Sequence, residues 1–159
     1  MSTVYTLGHS CHSLSHFLGL LRQHGIALVV DVRSRPYSRY VPHFNRKALE
    51  EALKREGIAY HFLGDKLGGR PENQEFHRED GTIDYGKLQR SPLFQEGIIE
   101  VISLAEKFRL ALLCGEEDPK RCHRKRLIGP MLKRSGVEVL HIRGDGSIEN
   151  DENPPGLFG

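Results

Sequence analysis

The sequence lacks a long hydrophobic run, because no stretch approaches the roughly 18 consecutive apolar residues that a membrane-spanning helix requires. Its opening segment, MSTVYTLGHS, has no basic stretch followed by an apolar one, so we expect no secretory signal and no membrane partner. Cysteine is scarce and odd in number, with 3 residues in 159. These absences predict a cytoplasmic protein with reduced thiols.

Motifs for common cofactors and metals are also missing. The sequence has neither a GxGxxG nor a Walker sequence, so we expect no NAD or ATP bound through those devices and no cofactor. Cys114, Cys122 and His123 carry soft ligand atoms, but their C-x7-C-H spacing matches none of the usual zinc spacings. With only His9 as a distant candidate for a fourth ligand, we expect no bound metal.

The charge that is present is unevenly distributed, although the net charge is only +2. Residues 33–47 contain 5 lysines and arginines and no acid, and residues 119–143 contain 8 against a single acid. The last 16 residues contain 4 acids and no base. Two basic clusters favour an anionic ligand, and a solvated surface face is the alternative.

Five stretches have the length and composition of β-strands: residues 4–9, 27–32, 59–64, 109–114 and 138–143. The second and fourth are almost continuously apolar, which is typical of strands buried on both faces of a sheet. Helical patterns separate the strands and begin near Leu14, after Asn45, at Ser91-Pro92 and at Asp118-Pro119. Pro130 is expected to kink or split the last of these helices.

The alternation of strands and helices predicts an α/β fold, with a single three-layer α/β/α domain over residues 1–143 and a mostly parallel sheet of about five strands. Residues 64–90 interrupt this pattern with a long, polar, glycine-rich insert, typical of a functional lid or a partly disordered loop. Residues 144–159 show no periodicity, so we expect an irregular tail on the surface.

Ligands of open parallel sheets bind outside the carboxyl ends of the strands. Reactive or ligand-binding residues stand at or just after the end of every predicted strand: His9 and Ser10, Asp31 and Arg33, Gly68 and Gly69, Glu116, and Arg143. Because these ends share one edge of a parallel sheet, the residues are expected to converge. A structural pair between Asp31 and Arg33, whose side chains point to the same side of the strand, is an alternative for those two.

One interpretation of the segment LLCGEEDPKRCHRKR, residues 112–126, is a cysteine nucleophile on a phosphate-binding loop. Three consecutive acids, beginning at Glu116, would raise the pKa of a neighbouring thiol and repel phosphate, which argues against that chemistry. The segment is better explained as a strand end, an acidic turn and a helix start. His123 and Arg124 then face the pocket, although Arg124 could instead pair with a structural carboxylate.

These segments resemble domain-of-unknown-function family 488. The resemblance runs through TLGHS at 6–10, VDVRSRPYS at 30–38, LGG at 67–69, LLCGEEDPKRCHR at 112–124 and VLHI at 139–142. It implies an α/β fold without an established activity, and a nucleotide or nucleic acid has been suggested as the partner of relatives. The motif positions that it implicates are His9, Ser10, Asp31, Arg33, Pro36, Ser38, Gly68, Gly69, Cys114, Glu116, Cys122, His123 and Arg124.

The function that we expect is an enzyme, hydrolase-like or N-glycosidase-like, acting on a phosphate-bearing small molecule such as a nucleotide. The candidate catalytic residues are Glu116, His9 and His123. The candidate substrate-binding residues are Ser10, Asp31, Arg33, Arg35, Ser38, Arg39, Gly68, Gly69 and Arg124. A nucleic-acid-binding module without catalysis is the alternative, because SRPYSRYVPHF at 34–44 interleaves basic and aromatic residues. A scaffold with an incidental pocket also stays open.

Overall fold

The computed structural model describes residues 2–116 and 127–150. The strands are β1 (Thr3–Gly8), β2 (Leu28–Asp31), β3 (Ala59–Phe62), β4 (Leu110–Cys114), β5 (Glu138–Ile142) and β6 (Ile148–Asn150). The helices are α1 (Leu14–Gln23), α2 (Arg46–Arg55), α3 (Gly64–Leu67), α4 (Tyr85–Gln89), α5 (Pro92–Lys107) and α6 (Gly129–Arg134), with 3₁₀ turns at Pro42–Phe44 and Gln74–Phe76. The start predicted at Asp118-Pro119 lies outside the described residues. Pro130 lies in the first turn of α6, and residues 127–128 directly before α6 are π-helical, so the helical backbone changes type next to the proline.

The described strands form one sheet in the order β3-β2-β4-β1-β5-β6. The first five are parallel, which confirms the predicted α/β fold. A sixth strand, β6, pairs antiparallel with β5 through Ile142 and Ile148. The tail expected to be irregular therefore contains a strand. The turn before it is closed by a hydrogen bond from the amide of Arg143 to the carbonyl of Ser147, 2.8 Å long.

Alternate side chains of the central strands enter two separate cores, as expected for a sheet covered on both faces. From β4, Leu110 and Leu112 join a cluster with residues of α5 and α6. Leu113 points to the other face and joins a cluster that includes Phe17 of α1 and Leu53 of α2. Each of these buried side chains stabilises the fold by about 1.5–3 kcal/mol relative to exposure. The three predicted layers follow from this alternation.

Asn45 precedes α2 as predicted, but its side chain does not cap the helix. Its Oδ1 atom instead accepts a hydrogen bond of 2.6 Å from the amide of Ser38. This bond ties the arginine-rich segment after β2 to the start of α2. By contrast, Ser13 and Ser91 cap α1 and α5 directly, through the amides of His16 and Phe94.

The insert of residues 64–90 is folded against the domain. It contains α3, the second 3₁₀ turn, a bridge between His77 and Ile83, and α4. Phe76 and Leu88 anchor it in the core that contains α5. The insert therefore forms a wall that packs against the domain.

Cys114 ends β4 in a buried position, whereas Cys11 is free and exposed. In the part of the chain that the structure describes, no helix is long and apolar enough to cross a membrane.

Candidate functional site

A cavity of about 970 Å³ opens at the carboxyl edge of the sheet. Its floor comes from the residues that follow β1, β2 and β4, which are the three adjacent central strands. Its outer wall comes from the insert. The lining residues are His9, Arg33, Ser34, Arg35, Tyr37, Ser38, Gly69, Arg70, Arg78, Gly81, Thr82, Ile83, Tyr85, Gly86, Gly115 and Glu116.

Among the described residues, four arginines line this cavity against a single carboxylate, that of Glu116. Two of them have distant acidic neighbours: Arg35 lies 3.9 Å from Glu72, and Arg78 lies 3.7 Å from Asp84. Both pairs are exposed, so solvent screens them and they hold the guanidinium groups only weakly. The cavity therefore presents planar donor groups suited to an anion.

Arg33 is fixed at the floor of the cavity by the buried carboxylate of Asp31. Its Nε and Nη2 atoms donate to the two carboxylate oxygens at 2.9 and 2.8 Å, and its backbone amide donates at 3.1 Å. The hydroxyl of Tyr60 donates to the same carboxylate at 2.6 Å. Among the described residues, Nη1 of Arg33 has no hydrogen-bond partner. Asp31 does not line the cavity, so it orients the arginine that does.

The pKa of Tyr60 is raised far above its ordinary value. Burial is the largest cause, followed by the negative charge of Asp31 and the hydrogen bond to it. The phenol therefore stays a donor at any physiological pH. The carboxylate of Asp31 accepts three hydrogen bonds from Arg33 and one from Tyr60.

The ring of His9 is held by one stacking contact and one hydrogen bond. Its ring stacks on Phe44 with 4.7 Å between centroids, and Nδ1 lies 2.8 Å from the carbonyl oxygen of Ser10. Because a carbonyl only accepts, Nδ1 carries the hydrogen and Nε2 carries the lone pair. Nε2 lies 3.7 Å from the position that a Cβ atom on Gly115 would occupy.

Burial lowers the pKa of His9 from 6.5 to about 4, and the positive charge of Arg33 contributes further in the same direction. The imidazole is therefore neutral at neutral pH and accepts rather than donates at Nε2. Ser10 contributes through its backbone and has a positive φ of 45°, a sparsely populated conformation for a residue other than glycine. Its amide donates to the carbonyl of Gly115 at 2.8 Å.

Gly68 allows the insert to approach the loop after β2. A Cβ atom there would lie 2.1 Å from Oγ of Ser34 and 2.5 Å from the carbonyl oxygen of Gly64. The same Oγ accepts a hydrogen bond of 3.0 Å from the amide of Arg70. The two glycines therefore have different roles, because Gly69 lines the cavity and Gly68 packs behind it.

The structure brings six of the sequence-predicted site residues to the cavity lining: His9, Arg33, Arg35, Ser38, Gly69 and Glu116. Ser10, Asp31 and Gly68 support those residues from behind, as described above. Arg39 lies outside the lining and contacts the ring of Tyr40. His123 and Arg124 lie outside the described residues.

Sequence reasoning missed the contribution of the insert hairpin, from Arg78 to Gly86. Nothing in its local pattern relates it to the strand ends, because that contact is made only in the tertiary structure. Within the described ranges, 2–116 and 127–150, no group of three or more histidine, cysteine or acidic side chains could hold a metal ion.

The fold and the cavity define an α/β protein with an arginine-lined pocket at the carboxyl edge of a parallel sheet. The chain belongs to the family described as Domain of unknown function DUF488, whose sequence model matches residues 13–130. This match confirms the family resemblance and runs from before α1 into α6. Comparison with curated proteins and with solved structures gave no match.

Proposed function

We propose that this chain is an enzyme of hydrolase type that acts on a phosphate-bearing small molecule bound in the cavity. The observation that carries the proposal is the meeting of four arginines and a neutral, rigidly held histidine in one cavity of about 970 Å³. That volume is of the size that takes a nucleotide or another small molecule of similar bulk.

The arginines would bind the phosphate. Arg33 offers its Nη1 edge from a fixed position, because Asp31 occupies the opposite side of the guanidinium. Arg35, Arg70 and Arg78 surround the opening and would neutralise the remaining charge. Hydrogen bonds from charged donors to phosphate oxygens are short and strong compared with neutral ones.

Two tyrosines at the cavity would contact the rest of the substrate. Tyr37 comes from the arginine-rich segment after β2, and Tyr85 from the insert. Tyr37 is 69% exposed, so its ring is accessible to a ligand in the cavity. An aromatic face stacks favourably on a nucleobase, so a nucleotide is the substrate class that this lining favours.

The reacting groups would be Nε2 of His9 and the carboxylate of Glu116, which follow β1 and β4. These strands are neighbours in the sheet, so the two groups approach the substrate from one side. Within the part of the chain that the structure describes, Glu116 is the single carboxylate in the lining, and it would accept a proton from the attacking water.

The binding part of the proposal is tested by calorimetric titration of inorganic phosphate and nucleoside monophosphates into the protein. Arg35→Gln removes a cavity arginine, and Arg39→Gln removes one four positions later that lies outside the lining. We expect Arg35→Gln to weaken binding by about tenfold, as for the loss of a charged hydrogen bond, and Arg39→Gln to leave it unchanged. Equal effects in both variants, or no binding by the unaltered chain, would reject the proposal.

The catalytic part is tested by phosphate release from a panel of phosphate esters. Glu116→Gln should abolish turnover while the affinity for inorganic phosphate stays within a few fold. Glu72→Gln is the matched control, because that carboxylate is exposed and lies outside the cavity lining. Full activity of Glu116→Gln would exclude the catalytic role given to this residue.

A second candidate function, binding of single-stranded nucleic acid, is favoured by one observation. Tyr40 is 79% exposed, and the guanidinium of Arg39 lies 5.1 Å from the centre of its ring. Exposed aromatic rings beside cations are the usual platform for stacking bases. Binding of an oligonucleotide that falls steeply with salt and is lost in Tyr40→Ala would support this candidate. Absence of binding at low salt would exclude it.

A further inference from the structure

We infer that His9 is the nucleophile of this site and that its Nε2 atom receives the phosphoryl group of the substrate as a covalent intermediate. This inference rests on the proposed function, because it assigns a chemical step to the same cavity. It also names the substrate class, which is a compound with a terminal phosphoryl group that can be transferred, such as a phosphate monoester.

The ring geometry leaves one atom available to attack. Nδ1 donates to the carbonyl of Ser10, so its lone pair is absent and its hydrogen is engaged. The ring cannot turn freely, because it stacks on Phe44, which itself packs edge-on against Phe17 with 5.0 Å between centroids. Nε2 is therefore presented at a fixed position in the cavity lining, with its lone pair uncommitted.

The direction of the pKa shift favours attack over proton transfer. A group with a pKa of about 4 is a weak base at neutral pH, and a general base works best when its pKa lies near the working pH. As a nucleophile the same group is fully available, because none of it is lost to protonation. The burial that lowers its basicity thus leaves its lone pair free.

Arg33 is placed to receive the phosphoryl oxygens during this attack. The positive charge of its guanidinium acts on His9, and both residues line the cavity. Its position is set by Asp31 and does not depend on the ligand. A preorganised cation stabilises the charge that spreads over the phosphoryl oxygens in the transition state.

The proposed reaction has two displacements. In the first, Nε2 bonds to phosphorus as the bond from phosphorus to the leaving oxygen breaks, and that oxygen takes a proton from water. In the second, a water molecule attacks phosphorus, its proton passes to Glu116, and the phosphorus–nitrogen bond breaks with its electron pair returning to Nε2. The sum is hydrolysis of the ester to an alcohol and inorganic phosphate, with His9 and the charge of Glu116 restored once that proton passes to solvent.

Phosphoramidate is a suitable probe, because it is a minimal phosphoryl donor whose phosphorus–nitrogen bond breaks to release ammonia. The full chain is incubated with it, and phosphohistidine is mapped by mass spectrometry of alkaline digests over time. His61 serves as an internal control, because it lies on the surface, outside the cavity lining, and is bonded to Glu100. We expect His9 to be phosphorylated several-fold faster than His61 and to be protected by inorganic phosphate, which should leave His61 unprotected.

Two further measurements separate the possible outcomes. His9→Asn should lose the fast phosphorylation, because the asparagine amide can still donate to the carbonyl of Ser10 but carries no nucleophilic ring nitrogen. In the unaltered chain, unfolding in urea should make His9 react no faster than His61. If inorganic phosphate binds but His9 reacts no faster than His61, the assignment of His9 as nucleophile is rejected and the proposed function stands. If phosphate neither binds nor protects, the proposed function fails as well.

Discussion

The fully buried carboxylate of Asp31 accepts two parallel hydrogen bonds, of 2.9 and 2.8 Å, from the guanidinium of Arg33. The two residues lie two positions apart at the end of one strand, and only the arginine reaches the cavity. The buried carboxylate of Asp31 therefore sets the orientation of the Arg33 guanidinium in the cavity. The same pair also matters for stability, because neither charge is tolerated there alone.

Asp31→Asn should destabilise the fold by about 3–5 kcal/mol, because it leaves the buried guanidinium of Arg33 without its counter-charge. Urea unfolding followed by circular dichroism measures this cost. The control is Glu56→Gln, which breaks the exposed ion pair with Arg22 and should cost less than about 1 kcal/mol. Similar costs for both substitutions would contradict the role given to the Asp31–Arg33 pair.

Tyr60→Phe should lower the free energy of unfolding by about 1.5–3 kcal/mol, since it removes a hydrogen bond to a buried charged acceptor. Tyr40→Phe removes a hydroxyl that accepts from Arg39 on the surface, and its effect should be close to zero. Denaturant titration of both variants makes the comparison. An effect of Tyr60→Phe no larger than that of Tyr40→Phe would show that the bond to Asp31 is energetically unimportant.

Acid should destabilise the protein through His9. The unfolded chain takes up a proton below pH 6.5, whereas the folded chain resists it until about pH 4, so stability is complete above the first value and falls as the pH drops between the two. The loss attributable to His9 should reach about 3 kcal/mol. The neighbouring charges of Arg33 and His43 act in this direction, and that of Asp31 opposes it.

The measurement is the free energy of unfolding of the unaltered chain and of His9→Asn at a series of pH values from 7.5 to about 4. The difference between the two should shrink or reverse as the pH falls, because the variant lacks the group that resists protonation. Parallel curves over this range would refute the assignment of a low pKa to His9.

Gly68→Ala should cost about 1–3 kcal/mol and weaken phosphate binding, because its methyl group would overlap Oγ of Ser34 and displace the insert. Gly19→Ala is the matched control: Gly19 lies within α1, and a Cβ atom there meets nothing within 4 Å. That substitution should stabilise the helix by about 0.5–1 kcal/mol. Thermal unfolding of both variants measures these changes in stability. A neutral Gly68→Ala would contradict the predicted overlap with Oγ of Ser34.

The sequence alone predicted the strands and helices that its local patterns mark clearly. Continuous apolar runs marked β2 and β4, apolar periodicity from Leu14 marked α1, and Asn45 and Ser91 marked the starts of α2 and α5. The rule that ligands bind at the carboxyl ends of parallel strands then selected four residues that line the cavity: His9, Arg33, Gly69 and Glu116. These successes share one physical basis, since periodicity and capping act over a few neighbouring residues.

Other features depended on contacts between distant parts of the chain. The short strand β6 has no pattern of its own and forms because β5 offers it an open edge. The insert hairpin reaches the strand ends because Phe76 and Leu88 anchor it in the core, which brings Arg78 to the cavity. The side chain of Asn45 bonds Ser38 rather than its own helix, a choice that the sequence of the cap does not reveal.

The sequence therefore determined which residues stand at the strand ends, and the tertiary structure decided what each of them does there. Asp31 became a support for Arg33, because full burial requires its charge to be paired. His9 became a neutral acceptor with a single free nitrogen, because packing on Phe44 removes it from water and the carbonyl of Ser10 fixes its proton. Burial and hydrogen-bond partners arise only when the chain is folded, and they set the charge and orientation of these groups.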